Sequence, residues 1–193
     1  MQWYEKNPVL LKAEKIAMYD FKGNEAKFHI MEDGNASWLV SARPRIPCKS
    51  KCANCTMHNC KRRCIPSNSN AKRIMCRKYN LLLRYDSDHP QVRYGSSVKT
   101  IPLSPSISEM QEIVNRTPGI KDKRIPHLLH DPQSGQLYLC SADKENVSAS
   151  LDSTSGVTSA ATSLRFALRW INIFEQGLID PKTWEKFQRH GEI

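Results

Sequence analysis

Tyr79-Asn80-Leu81-Leu82-Leu83-Arg84-Tyr85 is the stretch on which the fold turns. Tyr79, Leu81, Leu83 and Tyr85 alternate with Asn80, Leu82 and Arg84, the period of two that puts one side of a strand in a core and the other outside it. Such a strand needs neighbours. Upstream, residues 27–31 and 37–41, with Phe28, Ile30, Trp38 and Val40, flank Glu32-Asp33-Gly34-Asn35, and an Asp-Gly between such runs reads as a β-hairpin. Downstream, residues 91–101, with Val92, Tyr94 and Val98, give a fourth strand across the turn at 86–90. The expectation is an α+β protein built on a four-stranded antiparallel meander, interrupted once by an insertion.

Helices flank the meander. Asn7 as N-cap with Pro8 at the first helical position starts a helix over residues 8–19. Ser106-Ile107-Ser108-Glu109 reads as a capping box, and Ile107, Met110, Ile113 and Val114 form a short apolar stripe before Pro118. Near the C-terminus, Thr158 or Ser159 caps a clear helix whose face is Leu164, Ala167, Leu168, Ile171 and Phe174 and which Gly177 ends. Asp180-Pro181 opens a last short helix, with Trp184 and Phe187 facing inward. Between the capping box and these helices, residues 125–130 are extended and lead through Asp131-Pro132-Gln133-Ser134-Gly135 into Gln136-Leu-Tyr-Leu-Cys-Ser-Ala-Asp143. Cys140 there ends a strand-like run and opens onto a segment, 144–159, of small and polar residues that reads as a loop. A thiol at a strand end can be exposed enough to act as a nucleophile, and its plainer reading is a buried structural thiol.

The 193 residues suit one core with an appendage, and 39% apolar content with four tryptophans argues against global disorder. No run approaches the ~18 apolar residues that cross a bilayer, and the N-terminus lacks the basic start and apolar centre of a signal peptide. The expectation is a soluble cytoplasmic protein with no membrane partner, in which the seven cysteines bind metal or do chemistry rather than form disulfides. The net charge of +10 is concentrated between Arg43 and Lys78, where eleven basic residues occur with no Asp or Glu. The rest is nearly neutral.

That basic stretch, residues 42–78, is the insertion. Cys48, Cys52, Cys55, Cys60, Cys64 and Cys76 follow the spacing C-x3-C-x2-C-x4-C-x3-C-x11-C, with His58 inside the run. A segment so poor in apolar residues cannot build its own core, so metal-ligand bonds are the source of order to expect. Zinc with four ligands is the default, as one ion with spare thiols or two ions sharing thiolates, whose excess negative charge the nearby Lys and Arg offset. An iron-sulfur site is the less favoured alternative. The basic residues suit docking to an acidic protein or to nucleic acid; no Phe, Tyr or Trp lies among them to stack on bases, which favours a protein partner.

The order of helix, meander, extended His/Pro stretch, strand into an isolated Cys, and closing helices resembles the ubiquitin-conjugating-enzyme (UBC) fold. Tyr79 to Tyr85 with His89-Pro90 and Val92 is similar to that family's third strand, proline turn and fourth strand. Ile125-Pro126-His127 and Gly135 to Cys140 resemble the segment joining its His-Pro-Asn motif to the active-site cysteine, although Leu128 and Leu129, not Asn, follow His127. Leu168-Arg169-Trp170-Ile171-Asn172-Ile173-Phe174-Glu175 with Trp184 resembles the closing helix of bacterial members found beside ubiquitin-like and anti-phage (CBASS-type) operons. The resemblance implies a conjugating domain over 1–41 and 79–193; the small zinc-binding insertion at 42–78, read from its cysteines, lies outside it. It implies a thioester on Cys140, supported by His127 or His130, with Asp143 orienting an incoming amine. It further implies an activating-enzyme-like partner and, as donor or acceptor, a ubiquitin-like protein or a cGAS-like nucleotidyltransferase. A non-catalytic adaptor of the same fold and a zinc-dependent nucleic-acid-binding protein are the alternatives.

Overall fold

A computed structural model describes residues 2–47, 64–65, 73–91, 96–131, 134–140 and 159–189. In chain order these form α1 (Trp3–Lys6), α2 (Pro8–Lys22), a 3-10 turn (Gly23–Glu25), β1 (Ala26–Ile30), β2 (Ala36–Ala42), β3 (Arg45–Pro47), β4 (Cys64–Ile65) and β5 (Arg73–Met75). Then come β6 (Tyr79–Tyr85), β7 (Val98–Ser104), α3 (Ile107–Arg116), β8 (Leu128–His130), β9 (Leu137–Leu139), α4 (Ala160–Gly177) and α5 (Pro181–Phe187). The main sheet is antiparallel with strand order β1-β2-β6-β7-β9-β8. Among the described residues, no helix is long and apolar enough to cross a membrane.

β6 lies inside the sheet, paired with β2 on one side and β7 on the other. Its alternation works as the sequence requires: Tyr79, Leu81, Leu83 and Tyr85 are buried while Asn80 is exposed. The buried face joins Trp38 of β2, Val98 of β7 and Leu139 of β9 to Met18 of α2, Met110 and Val114 of α3, Trp170 and Phe174 of α4, and Trp184 and Phe187 of α5. One apolar core thus lies between the sheet and its helices. Fully burying each large side chain there contributes about 1.5–3 kcal/mol.

Local signals set the element ends. Asn7 Oδ1 accepts the Leu10 N–H at 3.0 Å to start α2, and Ser106 and Glu109 complete the capping box of α3. Ser159 Oγ accepts the Thr162 N–H at 3.1 Å, and Asp180 Oδ1 accepts the Lys182 N–H at 3.1 Å, so α4 and α5 begin where their caps stand. A second bond closes the start of α4 from far away. The buried Glu14 of α2 accepts the Ala160 N–H at 2.8 Å and the Tyr85 O–H at 2.7 Å, and Tyr85 in turn accepts the Trp38 N–H at 3.0 Å. Burial raises the Glu14 pKa, and the two bonds pull it back.

The structure differs from the sequence expectations in four places. The sheet has six strands, not four, because the hairpin β8–β9 adds itself to β7 at the pair Thr100↔Leu139. The fourth strand of the meander runs over 98–104, three residues past the expected end at 101, while residues 92–95 of the expected span, with Val92 and Tyr94, lie outside the described residues. Ser96 and Ser97 precede it, buried, with side chains bonded to Val98 and His89 and with the Ser97 carbonyl accepting the Asp86 N–H at 2.9 Å. Pro102 inside β7 is accommodated at a register shift, where Leu81 pairs with Pro102 and Asn80 with Ser104. The short helix α1 was not expected; it seats Trp3 against Tyr85 and His89, at ring-centroid distances of 4.8 and 4.4 Å. Finally, the insertion contributes a three-stranded sheet of order β3-β5-β4, with Ile46↔Ile74 and Cys64↔Ile74 in register.

Candidate active site at the Cys140 hairpin

The turn between β8 and β9 is built on Asp131. Its N–H donates to the Gln136 carbonyl at 2.9 Å, its own carbonyl accepts the Gly135 N–H at 2.8 Å, and its Oδ2 accepts the Ser134 hydroxyl. Gly135 has φ +71, a left-handed conformation that a side chain would strain, which is why a Gly closes the turn. The strands then pair His130↔Leu137, Leu129↔Tyr138 and Leu128↔Leu139, and the Cys140 N–H donates to the His127 carbonyl at 2.9 Å. Leu139 enters the core, Tyr138 is buried, and Cys140 is half-buried where the strand ends.

His127 is therefore next to Cys140 through the backbone. Its imidazole is engaged elsewhere: Nε2 donates to the Phe187 carbonyl of α5 at 2.7 Å, and the ring lies 5.4 Å from the Phe187 ring at 32°. His127 also has φ +55, a conformation that costs a non-glycine residue on the order of 1 kcal/mol and that turns its ring toward α5. The geometry makes His127 an anchor of the hairpin. His130 is exposed, on the turn side, where a Cβ added to Gly135 would stand 4.0 Å from its Nε2. Asp143 lies outside the described residues.

Behind the hairpin is a buried ion cluster that sequence reasoning missed. Lys99 of β7, 8% exposed, places Nζ 2.7 Å from Asp86 Oδ1 and 3.0 Å from Asp131 Oδ1, and 5.8 Å from the centre of the Tyr138 ring. Burial raises the Asp86 pKa and the Lys99 ammonium lowers it, with Asp131 adding repulsion. These residues line a small pocket of about 60 Å³ together with Arg84 and Gln136. A lysine inside an otherwise apolar and small-polar strand was the available signal; nothing in the sequence pairs it with an aspartate 32 positions away.

Of the six insertion cysteines, Cys48, Cys52, Cys55 and Cys60 lie outside the described residues. Cys64 is placed in β4 by its backbone. Cys76 is buried beside Ile46 and Ile179, and its thiol bonds Glu175 of α4. Burial and the Glu175 charge push that thiol up to about 11, so Cys76 stays protonated in this setting. Glu175 also accepts the Tyr79 O–H at 2.6 Å and Arg77 Nε at 3.1 Å, which fastens the root of the insertion to the body. No group of three His, Cys, Asp or Glu side chains that could hold a metal ion occurs among the described residues. Compared with known proteins, the chain matches no family model, no curated protein and no solved structure.

Proposed function

We propose that this chain is a ubiquitin-conjugating-like acyl transferase that carries its substrate as a thioester on Cys140. The carrying observation is the setting of Cys140, half-buried at the end of β9 and hydrogen-bonded through its backbone to His127. The Cys140 thiolate attacks the carbonyl of a protein C-terminal acyl group presented as a thioester by an activating-enzyme-like partner. A tetrahedral oxyanion forms, the partner's thiol leaves, and the acyl group resides on Cys140. An amine then attacks the new thioester and releases Cys140. Exchange between thiols is nearly isoenergetic and attack by the amine is downhill, so the protein has chiefly to hold two macromolecules in line. The donor or acceptor is a ubiquitin-like protein or a cGAS-like nucleotidyltransferase, in a cytoplasmic anti-phage system. In this reading His127 supports the hairpin instead of exchanging protons, and His130 and Asp143 remain the side chains proposed to meet the incoming amine. The insertion binds one or two zinc ions through cysteines drawn from Cys48, Cys52, Cys55, Cys60 and Cys64, with Cys76 left to the Glu175 contact at its root, and presents its basic surface to a protein partner.

The test is incubation with a candidate activating enzyme, ATP and a ubiquitin-like partner, followed by electrophoresis with and without thiol reductant. A reductant-sensitive adduct that disappears in Cys140→Ala supports the assignment. No adduct, or one that persists in that variant, removes it in favour of an adaptor. Loss of DNA binding on charge reversal at Lys61, Arg62 and Arg63, with no adduct, would favour a nucleic-acid-binding protein.

A further inference from the structure

The hairpin bearing Cys140 has a thin attachment to the sheet. β9 meets β7 at one residue pair, Thr100↔Leu139, whereas β2 and β6 share six. One pair gives the ladder little of its own to fix the register, and a slip of one residue would turn alternate side chains to the opposite face. Leu139 is buried in the core, and two polar contacts add to it. At the end near Cys140, His127 donates to Phe187. At the turn end, the Lys99 ammonium bonds Asp131, the residue around which the whole turn is hydrogen-bonded, and it stands beside Tyr138, two positions before Cys140. Its other bond, to Asp86, ties the same ammonium to the end of β6. A charge between two carboxylates defines a point.

We infer that Lys99 is a positioning residue for Cys140, pinning the 131–136 turn and Tyr138 to the body so that the strand end bearing the thiol keeps one attack geometry. The inference rests on the acyl-transfer reading for its functional consequence, while its structural half stands independently. The desolvation cost of a buried ion pair largely offsets its Coulombic gain, so what the cluster contributes is chiefly a defined position. Position matters to the chemistry: a misplacement of about 1 Å can cost on the order of 100-fold in rate.

The experiment compares wild type, Lys99→Met and Lys99→Arg, each first confirmed as folded by near-ultraviolet circular dichroism. Two readouts are taken: the rate at which iodoacetamide alkylates Cys140, followed by mass spectrometry of its peptide, and the kinetics of thioester loading. Lys99→Met is expected to change the Cys140 alkylation rate at least threefold. It is also expected to lower kcat for loading at least tenfold with KM for the donor within twofold, and Lys99→Arg recovers most of both. Wild-type alkylation and wild-type kcat in Lys99→Met would overturn the assignment, as would altered alkylation with unaltered kcat. If Lys99→Met does not fold, Ser134→Ala, which loosens Asp131 without burying an unpaired charge, is read in its place with a threefold effect expected on each measure. Failure of wild type to form any thioester would remove the acyl-transfer reading, and the alkylation rates would still decide whether Lys99 fixes the place of Cys140.

Discussion

The root of the insertion and the Cys140 hairpin each set a cysteine near buried charges, and the two are built in opposite ways. At the root the charges converge on the cysteine: Glu175 takes bonds from Cys76, Tyr79 and Arg77, and Cys76 is 8% exposed. On the hairpin the charges converge on the turn. Lys99 holds Asp131, while Cys140 stays half-buried at the far end of the strand, tied to His127 through its backbone. The same side chain is thus part of a wall in one place and is presented in the other. What separates them is which group the nearby charges grip.

The strongest way to break this contrast is to exchange the outcomes of the two deletions. Cys140→Ala is expected to abolish the reductant-sensitive adduct, and Cys76→Ala to retain it at reduced stability; the reverse pattern would show the contrast to be drawn the wrong way round. Next in size is labelling. Burial both shields the Cys76 thiol and pushes it up to about 11, so alkylation at pH 8 is expected to be about 100-fold slower at Cys76 than at Cys140.

A third measurement concerns stability. Glu175→Ala leaves Tyr79 and Arg77 without their shared acceptor and is expected to cost about 3 kcal/mol in denaturant unfolding, whereas His130→Ala on the exposed turn should change stability by less than about 0.5 kcal/mol.

A comparable effect calibrates both regions against a burial that involves no cysteine. His89, 3% exposed, bonds Ser97 through Nδ1, and burial lowers its pKa to about 4. The unfolded chain binds this proton near pH 6.5 and the folded chain does not, so the His89 contribution is lost as pH falls from about 6.5 to about 4. The raised pKa values of Glu14, Glu175 and Asp86 act in the opposite sense, so the clean quantity is a difference. The stability of wild type minus that of His89→Gln should fall by about 3 kcal/mol between pH 7 and pH 4. A pH-independent difference would show that the ring is solvated.

Much of the body was legible because its signals are local. Alternation gave β6 over 79–85, the Asp-Gly turn gave β1 and β2, and the caps at Asn7, Ser106, Ser159 and Asp180 gave the starts of four helices. The misses involve distant partners. β7 begins at Val98, after Ser96 and Ser97, whose side chains bond Val98 and His89, and β8–β9 joins the sheet through a partner almost forty residues away in sequence. At the candidate site, Cys140 and the turn before it were visible as residue types, while the pairing that sets His127 beside Cys140 came only with the structure. The engagement of the His127 ring with α5 and the Lys99 cluster were not visible, because both join segments whose spacing carries no period.

The bond from Glu14 to the first amide of α4 spans 146 residues and has a consequence for synthesis. When α2 leaves the ribosome, neither α4 nor β6 yet exists, and the Glu14 carboxylate lacks its full set of partners until α4 has emerged. Closing so long a loop is entropically slow, and it rewards the chain only at the end. The body is therefore expected to gain protection from proteolysis abruptly, when nascent chains extend past residue 177, with little protection in chains stalled at residue 140.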